Sequence, residues 1–332
     1  MRKKLQGLAI LLSPTLLFAT LLFSDPTHLF GEVGKGLKAS MQAAQQHPDP
    51  DPNRIIMAID SSIAYSPGLM KAGLVFDHTE NKVVWEKNMN VPFPVASLTK
   101  MMVALIAMEQ AEAGTISLTD TITISKQATY VGGSSLFLKA GQKLMLEELL
   151  GAAMVRSGND AAYAIAEYIG GTEAKFVRMM NHKAAEMKME STVFFNSTGM
   201  PNAPGKDNSS TPADLILLAR ETVKFDCILD YTCRSSDKIK NGNGIFTYEN
   251  RNSLVKSFDE IDGLKTGFTK AAGYCVVATS QRCGHRVTTI ILGVATKDQR
   301  NDIAVNLFNN YYRSIGLGTL GEKFDVVTAK AQ

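Results

Sequence analysis

From Met101 to Met108 the chain reads Met-Met-Val-Ala-Leu-Ile-Ala-Met, without a polar residue. As a helix this stretch has no hydrophilic face, so it is stable only inside a core with other elements packed round it. Pro94-Val95-Ala96-Ser97-Leu98-Thr99-Lys100 leads into it. Ser97 and Lys100 are three apart, and such positions share a helix face. A hydroxyl and an amine therefore meet at the head of a buried helix. Burial disfavours the charged amine. A neutral amine beside a hydroxyl is a base beside a nucleophile. The spacing alone is weak: it recurs at Ser235/Lys238 and Ser253/Lys256 in polar, turn-rich surroundings. An N-capping Ser with a surface Lys would satisfy it equally.

The chain has 332 residues, 45% apolar and 20% charged, with a net charge of +3. That is ordinary globular composition and offers no electrostatic case for nucleic acid. Arg2, Lys3 and Lys4 precede an apolar run from Leu8 to Phe23, broken by Ser13-Pro14-Thr15. Residues 1–24 are expected to be a signal peptide or a membrane anchor, with possible contact to the inner membrane through 6–23. Either way the remainder is exported to the periplasm or another extracytoplasmic space. Residues 25–53 read as an extended linker ending in His47-Pro48-Asp49-Pro50-Asp51-Pro52. One folded region is expected over 54–316, with a short tail at 317–332. Cys227 and Cys233 flank a short segment and can pair in an oxidising compartment, whereas Cys275 reads as a buried thiol. Neither cysteines nor histidines show metal-site spacing. His28, His47, His78, His182 and His285 form no triad.

Ala72–Asp77 and Val83–Glu86 read as a hairpin, with Trp85 as a packing residue. Leu118–Ile124 reads as a strand. Leu146–Met154 and Ala161–Ile169 are helical, with Ser157-Gly158-Asn159 as a polar break that must find partners or line a cavity. Glu173–Met189 is an amphipathic helix. Asn196–Ser210 reads as a surface loop and Ser235–Asn252 as turn-rich chain. Thr211-Pro212 opens another helix. Asp262–Thr269, Tyr274–Thr279 and Val287–Val294 suggest adjacent antiparallel strands, and Asp302–Tyr312 a closing helix.

Ser97-x-x-Lys100, Ser157-x-Asn159 and Lys265-Thr266-Gly267 thus occur in this order, the first on a buried helix and the last on an expected edge strand. Together they match the motif set of penicillin-binding proteins and class A β-lactamases. The sequence resembles low-molecular-weight penicillin-binding proteins of the serine D-alanyl-D-alanine carboxypeptidase type. The resemblance is carried by Ser97–Met102, by Gly133-Ser134-Ser135-Leu136 with Leu138-Lys139, by Ser157–Ala161, and by Asp262–Thr269 with Ala272-Gly273-Tyr274. It implies an α+β fold: an antiparallel sheet flanked by helices, with an all-helical subdomain, β-lactamase/transpeptidase-like.

The resemblance also implies roles. Ser97 attacks the carbonyl of the penultimate D-Ala, Lys100 takes its proton, and Ser157 relays that proton to the leaving amine. Asn159 holds the substrate amide. Lys265 and Thr266 bind the terminal carboxylate, with the Lys265 charge helping to neutralise Lys100. Gly267 lets substrate backbone approach the strand. The N–H groups of Ser97 and Phe268 form the oxyanion hole. Peptidoglycan peptides are the expected substrates and β-lactams the expected inhibitors, with no cofactor and no metal. Cleavage of peptidoglycan cross-links is the alternative activity. A β-lactamase would need a water-activating carboxylate, and none stands out between Glu173 and Asn208. A non-catalytic peptidoglycan-binding protein would not need all these residues intact.

Overall fold

The computed structural model describes residues 69–201, 206–241 and 244–322. The expected leader, the linker, the boundary near Arg54 and most of the tail lie outside these residues. Strands β1 (Ala72–Asp77) and β2 (Lys82–Lys87) form the hairpin, and β3 (Phe93–Pro94) leads to a 3₁₀ turn, Ala96–Thr99. Helix α1 (Lys100–Glu112) follows; every residue from Lys100 to Met108 is buried, as an all-round apolar helix requires. Short strands β4 (Thr121–Thr123) and β5 (Lys143–Met145) pair with each other. The strand expected from Leu118 is shorter, because Ser117–Asp120 closes a turn: Ser117 N donates to Asp120 Oδ2 and Asp120 N to Ser117 O.

Helix α2 (Leu146–Gly151) runs into a π-helical turn, Ala152–Arg156, then α3 (Asn159–Gly170) and α4 (Glu173–Glu186). Strand β6 (Ser209–Ser210) pairs with β3. Helix α5 (Pro212–Thr222) starts with Thr211 Oγ1 accepting from Asp214 N, the N-cap its sequence predicts. Helix α6 (Asp226–Thr232) precedes β7 (Ser236–Asn241) and β8 (Gly244–Glu249). These two pair as a hairpin in a region expected to be only turn-rich. Ile239 and Tyr248 are buried there, which stabilises the pair. Helix α7 (Leu254–Ser257), strands β9 (Ile261–Thr269), β10 (Gly273–Arg282) and β11 (His285–Val294), and helix α8 (Lys297–Ser314) complete the order.

The main sheet has the order β2-β1-β11-β10-β9, antiparallel throughout. Its strands alternate between two cores. Leu74, Phe76, Val277, Ile290 and Leu292 face the helical side around α1. Val75, Val276, Ala278 and Ile291 face α8, whose Ile303, Leu307, Phe308, Tyr311 and Tyr312 cover the other face. Each large apolar side chain buried this way contributes roughly 1.5–3 kcal/mol. Helices on both faces explain why Cys275–Ala278 of β10 and Ile290–Leu292 of β11 are apolar at consecutive positions. Strand β9 lies at the sheet edge, where the sequence predicts it.

Two expectations are corrected. The two described ends of the Asn196–Ser210 segment are not solvated loop: Asn196, Ser197, Thr198, Asn208 and Ser210 are buried. Their polar groups satisfy one another instead of water. Asn208 accepts from Phe195 N and Asn196 N and donates to Thr99 Oγ1 and Asn196 O. Asn196 Oδ1 accepts from the N–H groups of Thr198 and Gly199. The possible Cys227–Cys233 disulfide is not formed, and all four cysteines are free. Cys227 Sγ instead lies 3.5 Å from Met108 Sδ.

Candidate active site

The helix head is a 3₁₀ turn pinned by Thr99 Oγ1, which donates to Ala96 O at 2.7 Å. The buried polar segment packs against it closely. A Cβ on Gly199, whose φ is +83°, would fall 1.9 Å from Ala96 O, so only glycine fits. This contact brings Thr198 O to Lys100. Lys100 Nζ donates to Ser97 Oγ at 2.9 Å, Asn159 Oδ1 at 2.7 Å and Thr198 O at 2.7 Å. An ammonium has three donors and fills all three directions. A neutral amine keeps two N–H donors and one lone pair. Asn159 Oδ1 and Thr198 O can only accept, so both take N–H bonds. The lone pair is left for Ser97 Oγ, the one partner with a proton to give.

Lys100 is wholly buried, and that burial lowers its pKa to about 7, with the Asp160 charge opposing. Lys265 is pushed well below the usual lysine range, by burial first and then by the Lys100 charge. Burial, rather than Lys265, is therefore what makes Lys100 basic near neutrality. A carboxylate bound beside Lys265 favours its charged form and so restores the ammonium that burial disfavours.

Asn159 is 1% exposed, and both ends of its amide are engaged: Oδ1 by Lys100, and Nδ2 by Gly132 O at 2.5 Å. This placement makes it a tether for Lys100, while Nδ2 carries a second N–H beyond the one given to Gly132 O. Asp160 holds the neighbouring loop by accepting from Ser135 Oγ, Leu136 N and Leu138 N. Ser157 follows the π-helical turn in the left-handed region, φ 66° and ψ 33°. Such a conformation costs a non-glycine residue about 1–3 kcal/mol and is typical of functional sites. It turns Ser157 into a cleft of about 500 Å³ shared with Ser97, Ser134, Thr266, Gly267 and Phe268.

Lys265 is 1% exposed and stands behind the cleft wall, with its Nζ donating to Thr266 O at 3.0 Å. A Cβ on Gly267 would lie 2.9 Å from Val95 O and 3.2 Å from Ser97 N. The missing side chain thus makes room for the Ser97 turn, a closer constraint than the substrate approach expected from sequence. Phe268 is half-exposed and tilts onto Tyr274 with ring centroids 4.3 Å apart.

The fold thus brings Ser97, Lys100, Ser157, Asn159 and Lys265–Phe268 into one region. It also gathers groups that sequence reasoning missed. Thr198 acts through a backbone carbonyl, which has no sequence signal. Arg156, Arg251, Lys297 and Arg300 line the cleft from three distant parts of the chain. Among the described residues no cluster of His, Cys, Asp and Glu is suited to a metal. No helix among them is long and apolar enough to cross a membrane.

Residues 69–296 match the sequence profile of the D-alanyl-D-alanine carboxypeptidase family of peptidases. The chain is 34% identical over 232 residues to D-alanyl-D-alanine carboxypeptidase DacF of Bacillus subtilis, covering 70% of this chain and 59% of that protein. It thus spans about three fifths of the length of that relative. It is 30% identical over 267 residues to a D-alanyl-D-alanine endopeptidase of Haemophilus influenzae, covering 79% of this chain and 84% of the other. The fold resembles the crystal structure of penicillin-binding protein D2 from Listeria monocytogenes in its ampicillin-bound form. That likeness has a TM-score of 0.65 at 28% identity and covers 73% of this chain and 97% of the other.

Proposed function

The chain belongs to the D-alanyl-D-alanine carboxypeptidase family, and we propose that it removes the terminal D-Ala from peptidoglycan stem pentapeptides through an acyl-enzyme on Ser97. The observation that carries this reading is the hydrogen-bond set of Lys100, whose lone pair, once neutral, has Ser97 Oγ as its partner. Lys100 takes the Ser97 proton as Oγ attacks the penultimate carbonyl. The developing oxyanion is held by the N–H groups of Ser97 and Phe268. As the C–N bond breaks, Ser157 passes the proton to the departing amine. Thr266, backed by the Lys265 charge, holds the terminal carboxylate. Water then cleaves the acyl ester and restores the Ser97 hydroxyl. β-Lactams acylate the same hydroxyl.

The basic start at Arg2–Lys4 and the apolar run from Leu8 to Phe23 support export, with the catalytic region outside the cytoplasmic membrane. Residues 1–24 then serve as leader or anchor, 25–53 as linker and 54–316 as the catalytic domain. There the enzyme trims cell-wall peptides and so bears on wall organisation and cell shape.

Incubation with a pentapeptide and with cross-linked muropeptide dimers, read by mass, tests the reaction. Loss of one D-Ala from the pentapeptide is expected. Monomer from dimer with the pentapeptide untouched would replace this reading by cross-link cleavage. Fluorescent penicillin should label the protein but not its Ser97→Ala variant, and equal labelling of the two excludes the acyl-enzyme.

A further inference from the structure

Four cations line the cleft, Arg156, Arg251, Lys297 and Arg300, whereas neither motif lysine is part of its lining. The one carboxylate lining it among the described residues, Glu249, is bonded to Lys256 at 2.6 Å and acts on Arg156 and Lys297 only through its charge, without a contact to either. None of the four makes an ion pair with a described residue. Arg300, almost fully buried, donates Nε and Nη2 to the neutral Asn301 Oδ1. Arg156 Nε is buried with no hydrogen-bond partner. Arg251 is held next to it, because its N–H donates to Val155 O at 3.0 Å. Arg251 is exposed, and partial loss of solvation together with the Arg156 charge pushes it below the usual arginine range. A buried donor without an acceptor costs about 1–3 kcal/mol, and the repulsion between Arg156 and Arg251 adds to it. An anion between the two guanidiniums relieves both costs.

A single terminal carboxylate does not account for this wall. That group is assigned to Thr266 and Lys265 on β9, whereas Arg156 comes from the turn that carries Ser157. We propose that Arg156 and Arg251 form a second anion subsite in the cleft, which takes a carboxylate on the peptide other than the terminal one. The inference rests on the peptidase reading of the cleft. The acid group belongs either to the residue preceding D-Ala-D-Ala or to the side chain of the leaving residue. Guanidinium forks suit a carboxylate in both cases.

Paired peptides test it: acyl-Glu-D-Ala-D-Ala against acyl-Gln-D-Ala-D-Ala, and acyl-D-Ala-D-Glu against acyl-D-Ala-D-Gln. At one of the two positions the acid is expected to be preferred about tenfold in kcat/KM, the scale of one charge-assisted hydrogen bond. The preference should shrink as salt is raised on the unaltered protein. It should fall to about twofold or less in Arg156→Gln and be partly retained in Arg156→Lys. Equal use of acid and amide at both positions overturns the proposal, as does a preference untouched by salt or by Arg156→Gln. If no peptide is hydrolysed, the same ratios are read as competition against fluorescent-penicillin labelling. Failure of the hydrolytic reading is thereby distinguished from failure of the subsite. A protein that penicillin does not label loses both.

Discussion

Gly267 faces Val95 so closely that a methyl group on its Cα would stand 2.9 Å from the Val95 carbonyl oxygen and 3.2 Å from Ser97 N. The edge strand and the nucleophile turn are thus fitted to each other through an absent side chain. Gly267→Ala must displace the turn or the strand by a few tenths of an ångström. Small displacements at a reacting centre are costly. Penicillin acylation should slow at least about tenfold while the thermal midpoint changes little. Unchanged acylation would show that the turn tolerates the shift.

The pH dependence follows from Lys100. Its pKa is lowered to about 7 by burial, and only the neutral amine can take the Ser97 proton. The acylation rate should therefore rise with pH through about 7, then level. Asn159→Asp places a carboxylate against Lys100 Nζ, favours the ammonium and should move the rising limb up by at least about one unit. A limb that stays in place would remove Lys100 as the base. The stability sign runs the same way. Between about 7 and the ordinary lysine value the folded state binds fewer protons at Lys100 than the unfolded state does. Stability from this group therefore rises with pH over that window and is lost as pH falls toward 7.

Lys265 has a single hydrogen bond among the described residues, to Thr266 O, and stands behind the cleft wall. Lys265→Ala removes the charge that backs Thr266. Acylation by a peptide ending in a free carboxylate should drop by about 10- to 100-fold. The same peptide as a C-terminal amide should lose much less. Equal losses would argue for packing rather than carboxylate binding.

Asp160 is buried and accepts from one hydroxyl and several backbone N–H groups of the 135–138 loop and α3. Asp160→Ala should cost about 3 kcal/mol in denaturant unfolding, because those donors are left without an acceptor. Asp160→Asn should cost less. It also removes the charge that raises Lys100, so its acylation limb should shift to lower pH. A limb at unchanged pH would refute that coupling.

Local pattern was enough for much of the architecture. The apolar run after Ser97 demanded a buried helix, and β-branched runs marked β10 and β11. Thr211-Pro212 marked a helix start. Asn196–Thr198 and Asn208–Ser210 differ from the expected surface loop because polar composition signals water only when the polar groups do not bond each other. The hairpin of β7 and β8 was missed because its apolar positions are few and earn burial only against distant elements.

Which residues share chemistry was also partly visible. Ser97 and Lys100 are neighbours through helix geometry, and three motifs in order named their partners. By itself, the sequence determined the helix periods, the strand alternation and the chemical types available near Ser97. Only the tertiary structure decided that Thr198 offers its carbonyl to Lys100, that Asn159 is occupied by Lys100, and that four cations meet in one cleft. Those relations join residues far apart in the chain. They depend on how layers pack and on how much water is excluded, which no local spacing records.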